Sequence, residues 1–179
     1  MTGTYTEGKE FKMLQHTNKP LPKGEYDNCN FSQCDFSNCH LSGYIFLECT
    51  FRDCDFSNIH LGNTAFREVS FKDCKLLGTR FDECNDFLLK MDFEGCQLQL
   101  SSFFGLPLKS CRFENCQLNE VDFTDADLSS AVLRKCDLNQ TIFENTRLHK
   151  ADLRQSYGFS IDPEVNPSHE ARFSKDSLE

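Results

Sequence analysis

A large apolar residue recurs at every fifth position through most of this 179-residue chain. The first run reads Phe31, Phe36, Leu41, Phe46, Phe51, Phe56, Leu61, Phe66, Phe71, Leu76 and Phe81, with Leu21 and Tyr26 extending it backwards. A second run in the same period reads Phe93, Leu98, Phe103, Leu108, Phe113, Leu118, Phe123, Leu128, Leu133, Leu138, Phe143, Leu148 and Leu153. Two positions before each centre stands a smaller residue, usually Cys, Ala, Thr, Ser or Val. A helix repeats its buried face every 3.6 residues and a strand every 2, so a period of five fits neither. A regular internal repeat points to a solenoid.

The segments "CDFSN" at 34–38 and 54–58, "ADLSS" at 126–130, "CDLNQ" at 136–140 and "ADLRQ" at 151–155 carry the pattern small-(Asp/Asn)-(Leu/Phe)-polar-polar. In this the chain resembles the pentapeptide-repeat family over roughly residues 25–157. The resemblance implies an all-β fold, a right-handed quadrilateral β-helix with one pentapeptide per side and four per coil.

Physical chemistry agrees with that expectation. On a very short strand, the centre residue and the one two before it point to the same face, here the interior, and the other three face water. Residues 20 apart should then stack. The register shifts by two between Phe81 and Phe93, so partners across the break are 22 apart. Phe71 then meets Phe93, Phe81 meets Phe103, and Cys34, Cys54, Cys74, Cys96, Cys116 and Cys136 fall in one column. The same alignment places Leu88 in the column of Phe46 and Phe66. "ECNDFLL" (83–89) is therefore read as a bulged corner. About seven coils at ~4.8 Å give a rod on the order of 30–35 Å long. The organisation expected is an N-terminal cap over 1–24, the solenoid over 25–158, and a C-terminal capping tail over 159–179, in which Ser174 would cap a short helix with Asp176 in its first turn.

The eleven cysteines are read as small buried hydrophobes. Their CxxxxC spacing puts neighbours on different sides of the coil, unlike a CxxC chelate. The N-terminus lacks the apolar core of a signal peptide, no apolar run is long enough to span a membrane, and a cytoplasmic protein with reduced thiols is expected. His40 and His60 take equivalent positions one coil apart, but no third metal ligand accompanies them. None of GxSxG, the Walker loop, GxGxxG or HExxH occurs. Carboxylates on a convex rod have no cleft to desolvate them, so neither an enzyme nor a cofactor is expected.

The net charge is −9. Outward acids concentrate on two adjoining sides, Asp82, Glu83, Asp122, Asp125 and Glu144 on one, and Asp35, Asp55, Glu120 and Asp137 on the other. A basic stripe, the usual mark of nucleic-acid binding, is absent, and direct nucleic-acid binding is not expected. An acidic rod could instead enter a DNA-binding groove. The chain is similar to the quinolone-resistance (Qnr-type) and mycobacterial fluoroquinolone-resistance members of the family, which act as DNA mimics on DNA gyrase. That resemblance implies a protein partner such as DNA gyrase or topoisomerase IV, immunity or drug tolerance, and a homodimer formed through the C-terminal end. The chain lacks the long inter-coil loop of the Qnr type. The alternative is a general scaffold whose acidity serves solubility. A second candidate surface is apolar: Leu77, Phe87, Leu89, Leu100 and Phe104 fall at outward or bulge positions around the break, and clustered exposed apolar residues suggest an interface.

Overall fold

The computed structural model describes residues 3–175. Its strands are three or four residues long: β1 (Thr4–Glu7), β2 (Glu10–Lys12), β3 (Gly24–Asp27), β4 (Asn30–Ser32), β5 (Ile45–Leu47), β6 (Thr50–Arg52), β7 (Ala65–Arg67), β8 (Val69–Lys72), β9 (Met91–Glu94), β10 (Arg112–Glu114) and β11 (Val132–Arg134). All pair in parallel. One side of the solenoid is the sheet β1-β3-β5-β7, and the next is the seven-stranded sheet β2-β4-β6-β8-β9-β10-β11. The other two sides are joined by single bridges such as Asp35 to Asp55 and His40 to His60. The chain is thus an all-β solenoid of four short sides per coil and about seven coils, as the pentad period requires.

The register is 20 residues on both sides of the break and 22 across it: Phe51 lies opposite Phe71, Phe71 opposite Phe93, and Phe93 opposite Phe113. Aromatic rings fill the interior. Phe11, Phe31, Phe51, Phe71, Phe93 and Phe113 form a continuous stack with centroids 4.7–5.2 Å apart. Phe81, Phe103, Phe123 and Phe143 form another, at 4.7–5.7 Å. Between neighbouring columns the rings meet edge to face, as Phe51 and Phe56 do at 5.1 Å and 83°. Both geometries suit the aromatic quadrupole.

Many of the small inward positions share one bonding scheme. The Cys54 Sγ donates to the Phe31 carbonyl of the preceding coil and to the Arg52 carbonyl two residues back, and Cys74, Cys96, Cys116 and Cys136 repeat this. At four positions a hydroxyl takes over this bond, Thr64 to Leu41, Ser101 to Leu76, Thr141 to Leu118 and Ser156 to Leu133, each at 2.7 Å, whereas the buried Thr79 hydroxyl is left without a partner. Cys, Ser and Thr therefore interchange because each is small and carries one donor. All eleven cysteines are free. Burial pushes the Cys49 thiol up to about 12 and the Cys111 thiol up to about 11, which disfavours the reactive thiolate.

Three details depart from the sequence expectation. The ladder begins well before residue 25. β1 and β2 lie in register with β3 and β4, and Phe11 stacks on Phe31 at 4.7 Å, so residues 4–12 cover the next coil by continuing it. Second, Leu88 is not in the core. It occupies a corner at φ +57° and is 66% exposed. Asn85 still pairs with Ala65 twenty residues back, and Val69 pairs with Met91 twenty-two on, so the two extra residues are Leu89 and Lys90, just past that corner. Leu89 turns inward in their place and is buried. Third, the C-terminal tail goes on with the coil. Leu148, Lys150 and Leu153 N–H groups donate to the Pro167, His169 and Arg172 carbonyls. Buried Asn166 takes a small inward position, its Oδ1 accepting the Thr146 N–H and its Nδ2 donating to the Phe143 carbonyl. Ser174 Oγ accepts the Gln155 N–H at 2.7 Å. The helix expected after it falls on Asp176 and beyond, outside the described residues.

At the N-terminal end, buried His16 lies under Phe36 and beside Tyr44, with ring centroids 5.7 and 6.3 Å away, and its Nδ1 accepts the Leu21 N–H at 3.3 Å. Burial lowers its pKa below the ordinary 6.5. The folded state thus holds His16 neutral. Its contribution to stability is complete above pH 6.5 and falls as the pH drops below 6.5 toward the depressed folded value, because the unfolded chain then binds the proton first. Hydrogen exchange at Leu21 should accelerate on acidification through that window beyond the intrinsic pH effect, and a His16→Asn variant, which keeps an acceptor, should lose the excess. In the ring stack, Phe51→Ala should cost about 3–5 kcal/mol, read by urea denaturation.

Candidate functional site

The rod can meet partners only through its outward positions, and those are set by the corners. Nearly every pentapeptide ends in a residue with left-handed backbone, two after the centre: Gln33, Asn38, Glu48, Asp53, Asn58, Asn63 and so on, at φ +48° to +66° where the residue is not glycine; the side centred on Phe81 differs, with Phe81–Glu83 forming a 3-10 turn. The hydrogen bonds of one pentapeptide can be followed completely. The Asp35 N–H donates to the preceding coil at Leu14, the Phe36 N–H to the next coil at Asp55, the Asn38 N–H to Ser57, and the Cys39 N–H closes the turn onto Phe36. The remaining donor, the Ser37 N–H, goes to the Asp35 Oδ1 at 2.9 Å. The same bond recurs from Ser57 to Asp55, Thr124 to Asp122, Ser129 to Asp127, Asn139 to Asp137 and Phe87 to Asn85. At these corners the Asp or Asn two residues before the donor fastens the turn, as an Asx turn does.

This divides the nine acids of the expected strip. Asp35, Asp55, Asp122 and Asp137 are corner fasteners. Asp82 is held by Arg80 in a two-bond fork, Nε to Oδ1 at 2.9 Å and Nη2 to Oδ2 at 2.6 Å; partial burial raises its pKa, and the guanidinium more than offsets that, leaving it lowered. Lys75 also lies 3.8 Å from Asp55. Glu83, Glu120, Asp125 and Glu144 are exposed, fasten no corner, and form no ion pair among the described residues. Three of these four gather toward the C-terminal half. Glu120 and Asp125 stand at the two ends of the side centred on Phe123, and the Asp125 N–H donates to the Glu144 carbonyl on the next coil. The N-terminal half of that same side is different. His40 and His60 stack face to face at 4.3 Å and 9°, and Arg80 takes the next equivalent position. That side is therefore acidic toward one end and nitrogen-rich toward the other. Asp127 and Asp152, outside the strip, are closed into pairs with Lys109 and Arg147, and with Arg134 and Arg154.

The apolar patch is also redistributed. Phe87, Leu100 and Phe104 are exposed by 65%, 60% and 49%, and Leu77 is half-buried. Leu89 belongs to the core instead, because the insertion folds it inward. Leu88, which sequence reasoning placed inside, joins the surface. The signal that could have shown this is Asp86, a charge at what would be a centre position if the 20-residue register held one side further. Leu100 sits on a corner separate from Phe87 and Leu88, so the residues do not form one surface. The Arg67 guanidinium, which sequence reasoning did not single out, lies over the Phe87 ring at 5.7 Å. Among the described residues no three metal-ligating side chains come together.

With this geometry established, the chain belongs to the pentapeptide-repeat family. The family model for the pentapeptide repeat region matches residues 44–123, and that for pentapeptide repeats (8 copies) matches 108–145 and 122–157. No curated protein matches its sequence. Among solved structures it is similar to a trypsin-treated variant of QnrB1, a plasmid-mediated fluoroquinolone resistance protein, at TM-score 0.62 and 15% identity, over 99% of this chain and 87% of that one. It is also similar to HetL, a pentapeptide repeat protein involved in heterocyst differentiation regulation from the cyanobacterium Nostoc sp., at TM-score 0.54 and 14% identity, over 96% and 86%. At such identities the likeness is one of fold.

The fastener role makes a sharp test. Asp122→Asn keeps the acceptor and should leave stability within a few tenths of a kcal/mol, whereas Asp122→Ala should lose about 1 kcal/mol, the net worth of one such bond. Paired chemical denaturation curves measure both.

Proposed function

We propose that this chain is a non-catalytic protein-binding rod whose acidic side, with Glu120, Asp125 and Glu144, enters the DNA-binding groove of a type II topoisomerase such as DNA gyrase, conferring immunity or drug tolerance. The observation that carries this reading is that the carboxylates of these acids fasten no corner and pair with no cation among the described residues. The corner hydrogen bond accounts for Asp35, Asp55, Asp122 and Asp137, but not for them. Uncompensated carboxylates on adjacent coils, about 4.8 Å apart along the rod, offer a basic groove closely spaced negative charge. Such charge steers association and selects partners more than it adds raw affinity. The fold shared with QnrB1 supports the choice of enzyme class. The interior, filled with side chains, leaves the surface as the working part.

The test is binding of the purified protein to DNA gyrase, with linear DNA as competitor and ionic strength varied. Binding should be displaced by DNA and should weaken as salt screens the charges. Glu120→Lys with Asp125→Lys and Glu144→Lys should weaken it by at least about tenfold, or 1.4 kcal/mol. The backbone tolerates the change: Lys135 and Lys150 already occupy left-handed positions equivalent to Glu120 and Asp125, and Arg134 directly follows its centre Leu133 as Glu144 follows Phe143. Absence of binding at micromolar concentration would reject this enzyme as the target and leave the scaffold reading in its place.

A further inference from the structure

The corner at the insertion differs from every other in what it exposes. Phe87 and Leu88 stand at the two turn positions, where this solenoid otherwise favours polar residues or glycine, and both are about two-thirds exposed. Leu88 adopts φ +57°, a conformation that L-residues enter at some cost. Directly beneath, on the preceding coil, is Arg67. Its guanidinium lies 5.7 Å from the Phe87 ring centroid, and its Nε is buried with no hydrogen-bond partner. Arg52, Arg80, Arg112, Arg134, Arg147 and Arg154 each meet a carboxylate within 4.0 Å; Arg67 meets none among the described residues. Lys90, supplied by the insertion, is exposed and likewise unpaired, and its N–H donates to the Phe66 carbonyl at 3.1 Å, which sets it beside Arg67. Glu68 and Asp86 are close in sequence but pair with neither cation.

We infer that this corner is a docking site for an extended segment of a partner protein that carries an aromatic or branched apolar side chain flanked by Asp or Glu. The apolar side chain would cover Phe87 and Leu88, and the carboxylates would take the free donors of Arg67 and Lys90. Charge complementarity commits the site to this occupant. On a chain of net charge −9, it joins two cations that meet no carboxylate among the described residues to an exposed phenylalanine, and of these arginine and phenylalanine are types enriched at protein interfaces. The acidic side proposed for topoisomerase binding has the opposite chemistry and does not include this corner, so this inference does not depend on that reading.

The test is selection of a random peptide display library against the immobilised full chain, with an Arg67→Gln, Phe87→Ser, Lys90→Gln variant as the counter-target. Matching melting curves and circular dichroism should first establish that the variant folds. Enrichment of peptides combining an apolar residue with flanking acids is expected. Synthetic copies of them should bind the parent chain at least about tenfold more tightly than the variant by fluorescence anisotropy, with no loss on Glu120→Lys or Leu100→Ser. Enrichment of basic peptides, equal binding to parent and variant, or no enrichment would each overturn the inference. So would a concentration-dependent dimer, seen by sedimentation and abolished by the variant, since the occupant would then be a second copy of this chain.

Discussion

An interior only one coil wide has no second layer to share the work of burial. Everything else in this rod follows from that. Two residues of each five must fill the space, one large and one small, and each must lie above its counterpart in the preceding coil. Stacked phenylalanines meet the requirement along the column and, edge to face, across it. The small positions add a donor that reaches down to the carbonyl below. Because filling the interior and tying coil to coil involve the same residues, the register cannot slip without breaking both.

Much of this was legible from the sequence because the constraint repeats. The columns align at one spacing, the two-residue break shows in Phe71 over Phe93, and six of the eleven thiols sort into one column. What could not be read was where within 83–89 the extra residues enter. Leu88 and Leu89 are chemically identical, and only the backbone conformation at a corner decides which of them turns inward. The start of the ladder was missed for a related reason: Phe11 keeps the 20-residue spacing to Phe31, but His16 stands where the pattern calls for Phe or Leu. Buried against Phe36 and Tyr44, it does the work of an apolar residue in its neutral form.

The candidate surface was less legible than the fold. Counting outward acids by side treated every Asp alike, although those preceding a centre are demanded by the turn and would occur in a rod with no partner at all. Removing these and the ion-paired Asp82 leaves a smaller group, concentrated around Glu120, Asp125 and Glu144. In a repeat protein, composition reports the fold first. Function is to be sought in residues that the repeat does not explain, and by that measure the acidic side around Phe123 and the Arg67–Phe87 corner are two places where this chain departs from its own rule.

The insertion of Leu89 and Lys90 has a wider consequence. In a layered crystal, an extra half-row of atoms produces a fault whose strain is confined near its edge, and the lattice on either side stays perfect. The same holds here: stacking is in phase below Ala65–Asn85 and again above Val69–Met91, and the misfit is absorbed in a few residues at one corner. Each corner of such a rod is thus a place where the chain can be lengthened without disturbing the layers around it. New side chains can be tried there one site at a time, while the rod beneath them keeps its form.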